Sequence, residues 1–278
     1  MKQTRRKGKS KPKRKVKNAQ KESSPVHPIK VWAQLFSYGG VAESTVDSLI
    51  HEILLSLRNP EMIVRYDRIS GDALISRSRS RAASKFLLNT DFDVLFMIDH
   101  DLSWQPGALQ EVAYRAHKEQ AIVGGLYSKR VIGKGWASRF AKNAFENMDS
   151  FRIGEPGLLP AEYVATGFMA IPRKVLIDVK DKYHDIEFVS DGADMHYWSF
   201  FSCFVDDHSL LDGKREYLSE DWAFCKRAMS LGYKCYIDKY PKLVHWGEHG
   251  FSPDDAVNVE YRQRRENVEK PVEEKAEK

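Results

Sequence analysis

Apolar and polar positions alternate along this chain in blocks that predict strands and helices in turn. Val31-Trp32-Ala33-Gln34-Leu35-Phe36 reads as a first strand, and Ser37-Tyr38-Gly39-Gly40 as a tight loop into a helix over roughly 43 to 58. Met62 to Tyr66 predicts a second strand. Ile75 to Leu88 predicts a helix in which Arg77, Arg79 and Arg81 alternate with serines ahead of Ala82, Ala83, Phe86 and Leu87. Val94-Leu95-Phe96-Met97-Ile98, bounded by polar residues, is too short for anything but a buried strand. Pro106-Gly107 is expected to open another helix, since proline's fixed φ and missing N–H suit a first turn. Ala121 to Tyr127 supplies a further strand. The order βαβαβαβ predicts a mostly parallel central sheet with helices on both faces.

The second half is less regular. Tyr163 to Ile171 reads as a strand around Thr166-Gly167, Pro172 to Val179 as a short helix, and Tyr197 to Val205 as an aromatic strand. Ser219 to Leu231 carries the marks of a helix: a serine N-cap, acids in the first turn, Phe224, Ala228 and Leu231 on one face, and Gly232 as the stop.

Composition changes the picture at the ends. Residues 1 to 28 are rich in Lys, Arg, Ser and Pro, cannot bury enough surface to offset chain entropy, and are expected to be disordered. The net charge of +5 belongs to that arm, because residues 1 to 21 hold 11 Lys and Arg and no acid, leaving 33 basic against 39 acidic residues elsewhere. Residues 29 to 250 then form one α/β domain, and 251 to 278 a charged tail. Three cysteines, at 203, 225 and 235, lack the spacing of a zinc site or a disulfide framework, so free thiols and a reducing compartment are expected. No apolar run is long enough to span a bilayer, and the N-terminus lacks the apolar core of a secretory signal; a cytoplasmic protein is the expectation.

The chemistry-bearing residues sit at the ends of apolar stretches. Asp99-His100-Asp101 closes the buried strand, and in open α/β sheets the crevice beyond the carboxyl ends of the strands is where ligands bind. Two hard carboxylates there suit a divalent cation, with Asp101 as direct ligand and Asp99 acting on a ribose or through water. In Ser219-Glu220-Asp221 the carboxylates favour the helix start, and either can also serve as a general base toward a bound hydroxyl. His245, in Leu243-Val244-His245-Trp246-Gly247, is either a structural residue or an imidazole ligand of a borderline metal such as manganese. Arg77, Arg79 and Arg81 are either a solvated face or a bidentate binder of a diphosphate. Gly124-Gly125 and Thr166-Gly167 are packing sites or places where a ligand approaches the backbone.

Taken in order, these elements resemble the glycosyltransferases of the GT-A fold, over about residues 29 to 250. The resemblance rests on the strand-end Asp-x-Asp at Asp99 and Asp101, the glycine-bearing strand Ala165-Thr166-Gly167-Phe168-Met169, the x-Glu-Asp at Ser219-Glu220-Asp221, and the late His245. It implies a single Rossmann-like domain that uses a nucleoside-diphosphate sugar. Asp101 and His245 would ligate Mn²⁺ or Mg²⁺ on the donor diphosphate, Asp99 would contact ribose or metal, and Gly167 would lie against the donor. Asp221, beside Glu220, would deprotonate the acceptor hydroxyl, Arg79 would contact the nucleotide, and Asp67, after the second strand, would read its base. The acceptor, whether glycan, protein or modified nucleic acid, would bind in the loops 130 to 160 and 181 to 216, where Trp136, Tyr197 and Trp198 are either sugar-stacking or core residues.

Two other readings stay in view. A nucleotidyltransferase of similar fold also joins a sheet, carboxylates and a divalent ion, but calls for a glycine-rich phosphate loop after the first strand. A nucleic-acid-binding protein would act through the basic arm, which has no aromatic residue for base stacking but can contact any anionic surface.

Overall fold

The computed structural model describes residues 27–146, 151–189, 196–211 and 213–255. Of the arm 1 to 28 only His27 and Pro28, and of the tail 251 to 278 only residues 251–255, fall within that range; the rest of both segments lies outside the described residues.

The first half follows the expected alternation: β1 (Ile29–Ser37), α1 (Glu43–Ser56), β2 (Met62–Ser70), α2 (Ile75–Asn89), β3 (Val94–Asp99), the short β4 (Leu102–Ser103), α3 (Ala108–Glu119) and β5 (Ile122–Gly125). There follow β6 (Arg139–Phe140), β7 (Leu158–Tyr163), β8 (Phe168–Pro172), α4 (Arg173–Lys182), β9 (Glu187–Val189) and β10 (His196–Trp198). The chain continues through β11 (Phe204–Leu211), β12 (Lys214–Leu218), α5 (Glu220–Met229), β13 (Cys235–Asp238), β14 (Val244–Trp246) and β15 (Gly250–Phe251).

Eight strands form one sheet in the order β2-β1-β3-β8-β5-β13-β7-β6. β3 shows why its sequence is apolar throughout: Val94, Phe96 and Ile98 pack on one face with α1 and α3, and Leu95 and Met97 on the other with α2, α4 and α5. A strand covered on both faces needs no polar side. Helices on both faces, as expected, thus enclose an α/β sheet.

The sheet is mixed, which corrects the expectation of a mostly parallel one. β1 is parallel to β2 and β3, and β13 to β5, but β8 runs antiparallel between β3 and β5, and β7 antiparallel to both β13 and β6. Parallel neighbours need a crossover, usually a helix; among the described residues between β5 and β8 there is no helix, and β8 returns antiparallel.

Three local expectations also change. Tyr163 to Ile171 is two strands, with Val164 to Gly167 crossing from β7 to β8, and Tyr197 to Val205 likewise divides between β10 and β11. Pro106 precedes α3 instead of starting it, because Gly107 is the N-cap, in a left-handed conformation (φ 86°). The start of α3 is satisfied from α1: the buried Glu52 carboxylate accepts from the Leu109 N–H (3.0 Å), Trp104 Nε1 (3.2 Å) and Gln110 Nε2 (3.1 Å). Cys203, Cys225 and Cys235 are free thiols. Among the described residues, no helix is long and apolar enough to cross a membrane.

Candidate active site

β1 leads through α1 to β2 on one side, while the chain after β3 continues toward β8 and β5 on the other. The crevice beyond the carboxyl ends of two strands that part in this way is the favoured ligand site of such sheets. Here it is a cleft of ≈ 330 Å³, whose wall includes Tyr38, Asp72, Arg79, Asp99, Asp101, Arg130 and His245.

Asp99 is the last residue of β3, in register with Phe36 of β1, and its N–H donates to the Gly167 carbonyl (3.0 Å). The chain then turns at His100, whose carbonyl accepts from the Ala42 N–H (2.9 Å) and the Thr45 hydroxyl (3.1 Å) at the start of α1. That grip directs Asp101 into β4. β4 pairs antiparallel with β14, placing Leu102 opposite His245, and the Trp246 N–H donates to the Asp101 carbonyl (2.7 Å).

This ladder brings His245 Nε2 to 3.4 Å from Asp101 Oδ2. His245 Nδ1 lies 2.9 Å from the Ser128 carbonyl, which fixes the proton on Nδ1 in the neutral ring, and the Tyr127 ring packs edge-on against the imidazole (5.3 Å, 85°). Nε2 faces a carboxylate oxygen: carrying a proton it completes an ion pair with Asp101, and without one it offers a lone pair to a cation the two side chains could share. The two atoms are close enough for one cation to be reached by both side chains after a small adjustment. Asp101 is 8% exposed; burial pushes its carboxyl up, but His245, His100 and Arg130 outweigh burial and hold it below the usual carboxylate range. Arg130 Nη1 reaches the same oxygen (3.1 Å).

Among the described residues, no three His, Cys, Asp or Glu side chains gather as a metal site. Two protein donors fit a cation whose remaining ligands are phosphate oxygens and water, the usual habit of Mg²⁺ on nucleotides.

Arg79 joins the strand end to the start of α5. It is 4% exposed; Nη2 donates to Asp99 Oδ1 (2.6 Å), Nη1 donates to Glu220, and Nε is buried without a hydrogen-bond partner among the described residues. Burial opposes its charge, but Asp99, Glu220 and Asp221 outweigh that and keep it protonated. Asp221 does not line the cleft. Its Oδ1 accepts from the Ser219 hydroxyl and from the Trp222 N–H (2.9 Å), so the serine expected as a side-chain cap serves the carboxylate instead. Burial, then the Glu220 charge, pushes Asp221 up to about 6.

Several residues singled out in the sequence are placed elsewhere. Arg77 and Arg81 do not line the cleft: Arg77 binds Asp72, and Arg81 lies over the Tyr197 ring (5.8 Å), because alternate helix positions point in different directions. Asp67 is inside β2, which runs on to Ser70, and is exposed on an edge strand away from the cleft. The acid beyond β2 that does reach the cleft is Asp72, after the Gly71 turn (φ 79°); Arg77 pulls it down to about 2. Gly167 offers no open cradle, since a Cβ there would meet the Tyr127 hydroxyl and Leu102 Cδ1 (2.8 Å). Trp136 packs among Phe140 and Phe151, Tyr197 is buried, and Lys180 covers Trp198 (5.3 Å), so none is an open stacking platform.

Asp72, Tyr127, Ser128 and Arg130 were not singled out as site residues by sequence. Tyr127 carried the clearest signal, ending an apolar stretch as Asp99 does. Burial, then the charges of Asp99 and Asp221, raises its phenol well above the ordinary range, so it stays neutral; its oxygen accepts from the Gly167 N–H (3.1 Å).

No family model matches this chain, and no curated protein matches it. Among solved structures it is similar to A197 from STIV, at 18% sequence identity and a TM-score of 0.51, over 82% of this chain and 92% of that one. At that identity the likeness is one of fold.

Proposed function

We propose that this chain is a metal-dependent glycosyltransferase of the GT-A kind, which moves a sugar from a nucleoside diphosphate to an acceptor hydroxyl. The observation that carries this reading is the juxtaposition of Asp101 Oδ2 and His245 Nε2, 3.4 Å apart in the cleft at the strand ends. They would hold Mn²⁺ or Mg²⁺, which neutralises charge on the departing diphosphate. The Ser128 carbonyl keeps the imidazole in the ligating tautomer. Arg79, with an unmet donor in the cleft wall, holds the Asp99 carboxylate in place for a ribose hydroxyl or the ion. Through Glu220 the same guanidinium anchors the start of α5, which carries Asp221. A carboxylate raised to about 6 is ionised at neutral pH yet basic enough to take a proton from a hydroxyl, which favours an inverting displacement. The free thiols favour a cytoplasmic setting. The nucleotidyltransferase reading is the weaker one, because Gly39 and Gly40 stand in open space with no positive φ and form no phosphate-cradling turn.

Thermal melting with UDP-, GDP- and dTDP-sugars, each with Mn²⁺ or EDTA, tests this. At least one donor is expected to raise the melting temperature only with the metal, and Asp101→Ala to abolish that shift. A donor shift that persists in EDTA, or none with any donor, rejects the proposal.

A further inference from the structure

The segment 72–79, at the start of α2, borders two concavities. Asp72, Ala73, Ile75, Ser78 and Arg79 face the cleft already described, whereas Leu74, Ser76 and Arg77 line a separate groove of ≈ 690 Å³. Asp72 and Arg77 join across this ridge through two bonds (2.6 and 3.1 Å). The far wall of the groove is built by Asp185, Glu187 and Phe188, and by Tyr217, a residue 65% exposed. Tyr217 stands two residues before Ser219, the N-cap of α5, and Arg227 of α5 also lines the groove.

From this placement we infer that the groove is a saccharide-binding site, and, on the glycosyltransferase reading, the place where the acceptor sits. An open tyrosine ring suits the apolar face of a sugar, and the charged planar groups of Arg77, Asp185 and Glu187 suit its hydroxyl edge. The balance of sign chooses among acceptor classes. Arg77 is paired with Asp72 and Glu187 with His196 Nδ1 (2.6 Å), while Arg227, committed to the Phe200 and Ser202 carbonyls (3.1 and 2.9 Å), is offset by Asp185. A polyanion such as nucleic acid gains nothing from such a lining, whereas a neutral polyol loses nothing.

Saturation-transfer NMR with the full chain and no donor tests this, using chitohexaose, maltohexaose and xylohexaose as probes and a dodecathymidylate as the rival. Binding of at least one saccharide, weakened about tenfold in Tyr217→Ala and kept in Tyr217→Phe, is the expected result. Tyr217 is exposed, so its loss leaves the fold intact, which circular dichroism verifies. No saccharide binding, saccharide binding indifferent to Tyr217→Ala, or binding of the oligonucleotide in its place overturns the inference. Because neither donor nor metal is present, failure here is separate from failure of the metal-dependent donor shift.

Discussion

His245 stands 3.4 Å from Asp101 because Leu102, the next residue after Asp101, is its direct partner across two short antiparallel strands. The pair is therefore held by main-chain hydrogen bonds and does not depend on side-chain packing alone. His245→Ala is expected to keep the fold, and to raise the Mn²⁺ concentration for half-maximal donor binding by about tenfold or more. Calorimetric titration of Mn²⁺ with donor present measures it, and an unchanged requirement removes His245 from the site.

Arg79 sits between Asp99 and Glu220 with little access to water. Arg79→Ala leaves two carboxylates facing each other and should cost about 3 to 5 kcal/mol in urea unfolding. Arg79→Lys keeps the charge but not the fork, and is expected to fall between wild type and Arg79→Ala.

Asp221 is pushed up to about 6, so the fraction of ionised base rises through that pH. Transfer under saturating donor should climb between about pH 5 and 7 and then level off. Asp221→Asn should lose activity at every pH. A wild-type profile flat across this range argues against Asp221 as the base.

Asp238, at the end of β13, is 0% exposed and also pushed up to about 6, mainly by burial, against an ordinary 3.8. The folded state holds this proton more tightly than the unfolded chain does. Its contribution is full below pH 4 and is lost as pH rises through 6, on the order of 3 kcal/mol. Chemical unfolding at pH 4 to 7 should show that decline, and Asp238→Asn should flatten it.

Gly167 has Tyr127 and Leu102 where a side chain would go. Gly167→Ala should cost about 1 to 3 kcal/mol by overpacking. Adding Tyr127→Phe, which removes the offending hydroxyl, should make the combined loss smaller than the sum of the two single losses in melting experiments.

How far the sequence can be read differs between the two halves, for physical reasons. β3 was legible because a strand buried on both faces is apolar at every position, and α5 because Ser219, the first-turn acids and Gly232 mark its ends. The direction of β8 was not, since Phe168 to Pro172 is apolar whichever way it runs. The strand ends carrying Asp99 and Asp101 were visible for the same reason as β3. Asp72 was not, because the register of β2 with β1 extends it to Ser70, past the polar residues that seemed to end it. The split of the three arginines needs the helix phase, which places Arg79 inward and leaves Arg77 exposed.

The ladder between residues 102–103 and 244–245 spans most of the domain in sequence. A ribosome must therefore release nearly the whole domain before the late imidazole can meet its carboxylate. Nascent chains would carry a nearly finished scaffold without that pair, so the cleft is completed abruptly by the final strands, and a stop codon shortly before Val244 would leave the sheet in place but the cleft without its imidazole wall.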